Sequence, residues 1–186
     1  MKLADDTYEY LKQAVADMFV DYDIKGTPIS SFEVAVKIGL YLVPYSALKR
    51  DLRLQSIGFS KDGFSVETND NRWIIYYNDE DMDYSRINQT IMHEVAHYVL
   101  GHTTDGEEEE AEAKFFAKYA LASPALIHNM SSEKTVENIM ESFSIGYQAA
   151  NIALSNYRKR LRYGKPHYMI YEKQILMQLE IEKVSS

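Results

Sequence analysis

Residues 91–98 read Ile91-Met92-His93-Glu94-Val95-Ala96-His97-Tyr98, and no other stretch of the chain restricts its fold as much. Histidines at i and i+4 fall on one face of a helix, one turn apart, so both imidazoles can reach a single ion. Glu94 stands beside the first of them, where its carboxylate can reach a water on that ion without ligating the ion itself. In such a site zinc lowers the pKa of the water towards ~7, and the carboxylate serves as general base and then returns the proton to a leaving amine. Ile91, Met92, Val95, Ala96, Val99 and Leu100 make the flanks apolar, as expected of a helix buried under a sheet. Three of the five histidines lie between positions 93 and 102, a clustering that a solvated surface helix would not explain.

Composition limits the donors such an ion could have. The 186 residues include no cysteine, which removes disulfides and thiolate sites and leaves His, Asp and Glu. The length is about that of one domain, and 46% hydrophobic with 26% charged residues is the balance of an ordinary globular protein. No run approaches the ~18 apolar residues of a membrane span. The acidic, polar start Met1-Lys2-Leu3-Ala4-Asp5-Asp6 reads as neither a secretory signal nor a transit peptide, so a cytoplasmic location is expected. A net charge of -8 argues against general nucleic-acid binding, which needs a positive surface.

Periodicity places the motif in an α+β chain. Leu11, Val15, Met18 and Phe19 give residues 5–21 a helical period, and Ser30 or Ser31 can cap a second helix that stops at Gly39. From about Tyr41 to Asn78 the pattern turns β-like, with strands expected at 52–57, 64–68 and 72–78, the last apolar enough to be buried on both faces. Short turns at Lys61-Asp62-Gly63 and Asn69-Asp70-Asn71 favour antiparallel pairing. Helices are expected at 85–101, 107–121, 133–143, 147–162 and 169–182, punctuated by Asp105-Gly106, Ser123-Pro124 and Gly164-Lys165-Pro166. Residues 1–130 are read as the metallopeptidase core, and 131–186 as a helical subdomain packed on it.

A third ligand has to come from elsewhere. A metzincin would carry glycine and histidine where this chain has Leu100 and Thr103. His102 is one residue out of register and is expected to sit at the helix end, where a cation suits the dipole. A carboxylate of the next helix is the alternative, completing a His₂Glu set. Most of Glu107-Glu108-Glu109-Glu110-Ala111-Glu112 suits a solvated helix N-terminus. Glu110 and Glu112 both lie at the right level of the returning helix and point about 200° apart. Glu110 edges the face formed by Ala113, Phe116, Ala117, Ala120 and Leu121. Glu112 lies beside Phe115 and Tyr119, which could mark a second buried face, so geometry leaves both open.

The stretch from Asn78 through Arg86, Thr90, His93-Glu94-Val95-Ala96-His97 and Leu100 resembles the ImmA/IrrE family of metallo-endopeptidases. Glu110-Ala111-Glu112-Ala113-Lys114-Phe115-Phe116-Ala117 is similar to that family's second block, and Pro28 to Leu40 to its opening helix. The likeness covers roughly residues 28–160. It implies a minimal zincin-like domain holding Zn2+ through His93, His97 and Glu110, because the family's register makes the first glutamate of the second block the ligand. Glu94 is then the catalytic base. Lys114 departs from the Asn or Asp usual there, a residue placed to support the first histidine. The likeness further implies a cytosolic bacterial protease, often carried on phages and mobile elements, that cleaves a helix-turn-helix transcriptional repressor.

The C-terminal third reads as a helical hairpin around Ser144-Ile145-Gly146-Tyr147, a turn like that of a helix-turn-helix. Its second helix ends in the basic run Arg158-Lys159-Arg160-Leu161-Arg162. Basic residues suit a helix C-terminus, whereas a DNA-reading helix places its contacts near its N-terminus, so direct DNA binding is not expected. His128, His167 and Tyr168 have the residue type of a transition-state stabiliser. Two rival functions remain: a non-proteolytic anti-repressor that sequesters its partner, and a DNA-binding regulator on a peptidase scaffold. The intact Glu94 speaks against the first and the acidic charge against the second.

Overall fold

A computed structural model describes residues 2–80, 82–104, 106–164 and 166–180. Asp105 of the expected Asp105-Gly106 turn, Lys165 of the expected Gly164-Lys165-Pro166 break, and the last residues of the helix expected to reach 182 lie outside the described residues.

The chain is α+β. Helix α1 (Asp5–Asp21) buries Leu11, Val15, Ala16, Met18 and Phe19. Helix α2 (Ser31–Ile38) starts where the Ser30 side chain accepts from the Glu33 N–H and stops at Gly39, φ 94°. There follow β1 (Tyr41–Pro44), a 3-10 turn, α3 (Arg50–Phe59), β2 (Gly63–Glu67) and β3 (Trp73–Tyr77). The metal-motif helix α4 (Tyr84–Leu100) is capped by Asp83 and closed by Gly101, φ 68°. It is followed by α5 (Glu107–Ala122), α6 (Pro124–Asn129), α7 (Val136–Phe143), α8 (Tyr147–Tyr163) and α9 (Ile170–Gln178).

The sheet differs from the expectation in one strand. Residues 52–57, expected as a strand, lie within α3, where no residue is buried. Leu, Arg and Gln are good helix formers, and only Ile57 is β-branched; the alternation of Leu52 and Leu54 reflects no buried face, as both are more than half exposed. The third strand is β1, which pairs parallel with β3 from Tyr41 opposite Ile74 to Pro44 opposite Tyr77. β2 pairs antiparallel with β3, so the order is β1-β3-β2. β3 is central, yet only Ile75 in it is fully buried, so it is not sealed on both faces. Ser123-Pro124, expected to end a helix, also begins α6, because Ser123 caps the Leu126 N–H and proline fits the first turn.

Helix α4 lies against the sheet and packs on α5, α2 and α1. Its attachment to α2 is polar and fully enclosed. Asn88 accepts from the Ser31 N–H at 2.7 Å and donates to the Ile29 carbonyl at 3.0 Å, while Ser31 Oγ donates to the Asn88 carbonyl at 2.6 Å. Each buried polar group thus has a partner, which avoids the cost of an orphaned one. The clamp fixes α4 five residues before His93. One apolar cluster, from Val15 and Phe19 to Ile175 and Leu179, joins α1 to α9. Among the described residues no helix is long and apolar enough to cross a membrane.

Candidate metal centre

The turn before β2 is built by residues far from it in sequence. Asn78 donates to the Lys61 carbonyl at 2.8 Å and accepts from the Glu80 N–H at 3.0 Å. Arg86 of α4 donates to Asp62 at 2.7 Å. At Gly63 a Cβ would stand 2.7 Å from the Tyr76 carbonyl oxygen and 2.8 Å from the Thr90 methyl, so only glycine fits between β3 and α4. Asn78, Arg86 and Thr90 therefore hold β2 against the motif helix. That contact places Ser65 of β2 over Glu94, where its hydroxyl donates to Glu94 Oε2 at 2.6 Å.

On α4 the spacing of His93 and His97 brings their Nε2 atoms to 3.2 Å. Glu110, in the first turn of α5, sets its Oε1 at 3.5 Å from His93 Nε2 and 3.3 Å from His97 Nε2. These three are the set of possible ligands that converges among the described residues. Zinc bonds of ~2.0–2.2 Å at tetrahedral angles would separate their donor atoms by about 3.4 Å, so the donor set fits a zinc-class ion. Burial, and then the neighbouring His97, hold the His93 imidazole down to about 4; near neutral pH its lone pair is available. Burial is the largest single influence on the Glu110 carboxyl and pushes it up, but the Lys114 hydrogen bond and the charges of His93, Lys114 and His97 together hold it below its ordinary value. Lys114 Nζ lies 2.8 Å from Glu110 Oε2, leaving Oε1 to face the histidines. Lys114, where the family pattern has Asn or Asp, thus pairs with the carboxylate, and its charge also helps to lower the His93 imidazole.

Glu112 takes another direction. Its Oε2 lies 3.0 Å from His102 Nε2, and His102 Nδ1 lies 3.0 Å from His97 Nδ1. His102 follows the helix stop at Gly101, as expected of a helix-end residue, but its side chain is turned inward and only 7% exposed.

The three histidine and glutamate donors and Glu94 open onto a cleft of about 1240 Å³, also lined by Ser65, Trp73 and Tyr147. Glu94 is 8% exposed. His128, His167 and Tyr168 do not line this cleft; His128 packs against Tyr157 and Tyr168 instead. Conversely, the N-terminus of α8, from Gly146 to Ala149, does line it, a role the periodicity of the C-terminal third did not indicate. Arg160 of the basic run is turned inward, donating twice to the buried Glu172 of α9 at 2.7 and 3.0 Å.

The sequence model of a peptidase family, Peptidase_M78 (IrrE N-terminal-like domain), matches residues 48–155. No curated protein matches the chain.

Proposed function

Because the chain belongs to the IrrE N-terminal-like family of metallopeptidases, Peptidase_M78, we propose that it is a zinc-dependent endopeptidase whose substrate is a helix-turn-helix transcriptional repressor. The observation that carries the metal part is the convergence of His93 Nε2, His97 Nε2 and Glu110 Oε1 within 3.2–3.5 Å of one another. The family supports hydrolysis of a peptide bond; the repressor as substrate comes from the resemblance in the paired motif blocks.

His93, His97 and Glu110 would hold the ion. Bound there, it supplies a Lewis acid that polarises the scissile carbonyl and acidifies water. Glu94 takes a proton from the attacking water and delivers it to the departing amine. Ser65 holds one oxygen of that carboxylate, which orients the base towards the cleft. Among the described residues no strand pairs with the outer edge of β2, so its backbone is available to an extended peptide. An edge strand beside a general base suits a polypeptide substrate better than a small molecule.

The test is incubation of the zinc-loaded protein with the repressor encoded beside its gene. Cleavage should be stopped by a chelator and cut by about 10² or more in Glu94→Gln, as loss of a general base does, with zinc still bound. Glu110→Ala should lose zinc. A repressor that is bound tightly but never cut would replace this reading with sequestration.

A further inference from the structure

We propose that His102 and Glu112 are positioning residues that fix the tautomer of His97 and so present its Nε2 lone pair to the ion; this rests on the ligand reading given above. The contacts form a line of three side chains: Glu112 Oε2, His102 Nε2 at 3.0 Å, His102 Nδ1, then His97 Nδ1 at 3.0 Å. A carboxylate only accepts, so it requires the proton of a neutral His102 on Nε2. The Nδ1 of that ring is then bare and can only accept. It takes the N–H from Nδ1 of His97. A neutral His97 with its proton on Nδ1 has a bare Nε2, the atom that faces His93 and Glu110. One carboxylate thus determines the protonation pattern of two rings.

The reverse pattern is disfavoured at both ends. Were His102 to donate from Nδ1, His97 would carry its proton on Nε2, directed at the place of the ion. The bare Nε2 of His102 would then face the lone pairs of Glu112. The side chains of His102 and Glu112 are 7% and 19% exposed, so water competes little for these bonds. Metal-ligating histidines ordinarily have the second ring nitrogen anchored, which fixes tautomer and ring orientation together.

The backbone prepares this arrangement. Gly101 takes φ 68°, and the His102 N–H closes on the His97 carbonyl at 3.0 Å. This six-residue closure is the Schellman stop of a helix, and it folds residue 102 back over residue 97. Helix α5 then returns antiparallel and presents both glutamates. Glu110 meets His97 on its Nε2 side; Glu112, two residues on, reaches its Nδ1 side through His102. The pair of carboxylates that spacing alone could not separate therefore brackets a single imidazole, each with its own task.

The experiment uses the full chain and two readouts. Nitrogen-15 NMR of the metal-free protein reports the tautomer of His97, and chelator competition reports zinc affinity. His97 should carry its proton on Nδ1 in the wild type and become a mixture of tautomers in His102→Leu. Zinc affinity in His102→Leu should fall about 10–100-fold. His102→Asn, whose Oδ1 replaces the accepting Nδ1, should restore most of it. Glu112→Ala should weaken zinc binding alone, but add little in the His102→Asn background, because Glu112 acts through His102. An Nε2-protonated His97 in the wild type, or equal zinc affinity in His102→Leu, overturns the proposal while leaving the ligand set standing. A wild type that takes up no zinc overturns the ligand set and this proposal with it. If His102→Leu does not fold, the wild-type tautomer and Glu112→Ala decide the matter.

Discussion

Ser65 and Glu94 are separated by 29 positions and meet at 2.6 Å. We expect Ser65→Ala to lower kcat about tenfold, a loss typical of removing one bond that positions a reacting group, with zinc stoichiometry and KM little changed. Unchanged kcat in Ser65→Ala would remove the hydroxyl from the mechanism. At this scale, what could be read from the sequence divides by distance along the chain. His93, Glu94 and His97 belong to one helical turn, and their relative placement follows from the 3.6-residue repeat. Glu110 and Glu112 could be placed at the right level of the returning helix but not told apart, since that depends on how α5 is rotated against α4. Ser65 was missed because a serine in an alternating strand carries no local sign of what faces it. His102 sits at the helix end as expected, but the inward turn of its side chain is set by the left-handed Gly101, which a helical count ignores.

Among the elements, α8 and α9 are joined by an ion pair rather than by apolar contact alone. Arg160 donates to both oxygens of Glu172, and Glu172 also accepts the Met169 N–H at 2.8 Å. With side chains 16% and 7% exposed, removal of one partner strands a charge. Arg160→Met should therefore cost about 3–5 kcal/mol, and Arg160→Met with Glu172→Leu clearly less than Arg160→Met alone. Denaturant unfolding checks this; a cost below about 1 kcal/mol for Arg160→Met would show the pair to be solvent-screened. Helices with a clear apolar period were legible: α1, α2, α4, α5 and α8 begin and end within a residue or two of where periodicity places them, although only α2 and α4 among them carry a side-chain cap. The failures were α3, whose exposed leucines imitate a strand, and β1, only four residues long and paired in parallel with a partner some thirty positions away. Parallel pairing leaves no hairpin turn to read. α6 is hidden because a proline after a helical run reads as a stop, although proline also opens helices.

The whole molecule is held shut by segments outside the family match. α1 packs on α9, α5 and α4, burying Leu11, Val15 and Phe19 completely, while Gln13 and Gln178 reach across to Gln174 and Asp23. Residues 48–155 alone lack α1, α2, β1 and α9. β3 would become a sheet edge, and Asn88 would lose Ser31 and Ile29. We expect that fragment to be insoluble or unfolded by circular dichroism, even with zinc present; a cooperative melt from it would show that the flanking helices are dispensable. On that expectation the matched region, 48–155, is shorter than the region that folds as one body. The α4–α5 pair carries its chemistry as a recognisable text of particular residues, whereas the helices that clasp it at either end need only be oily on one side. A search for further members by that text will find the workshop and leave its walls to be inferred from periodicity.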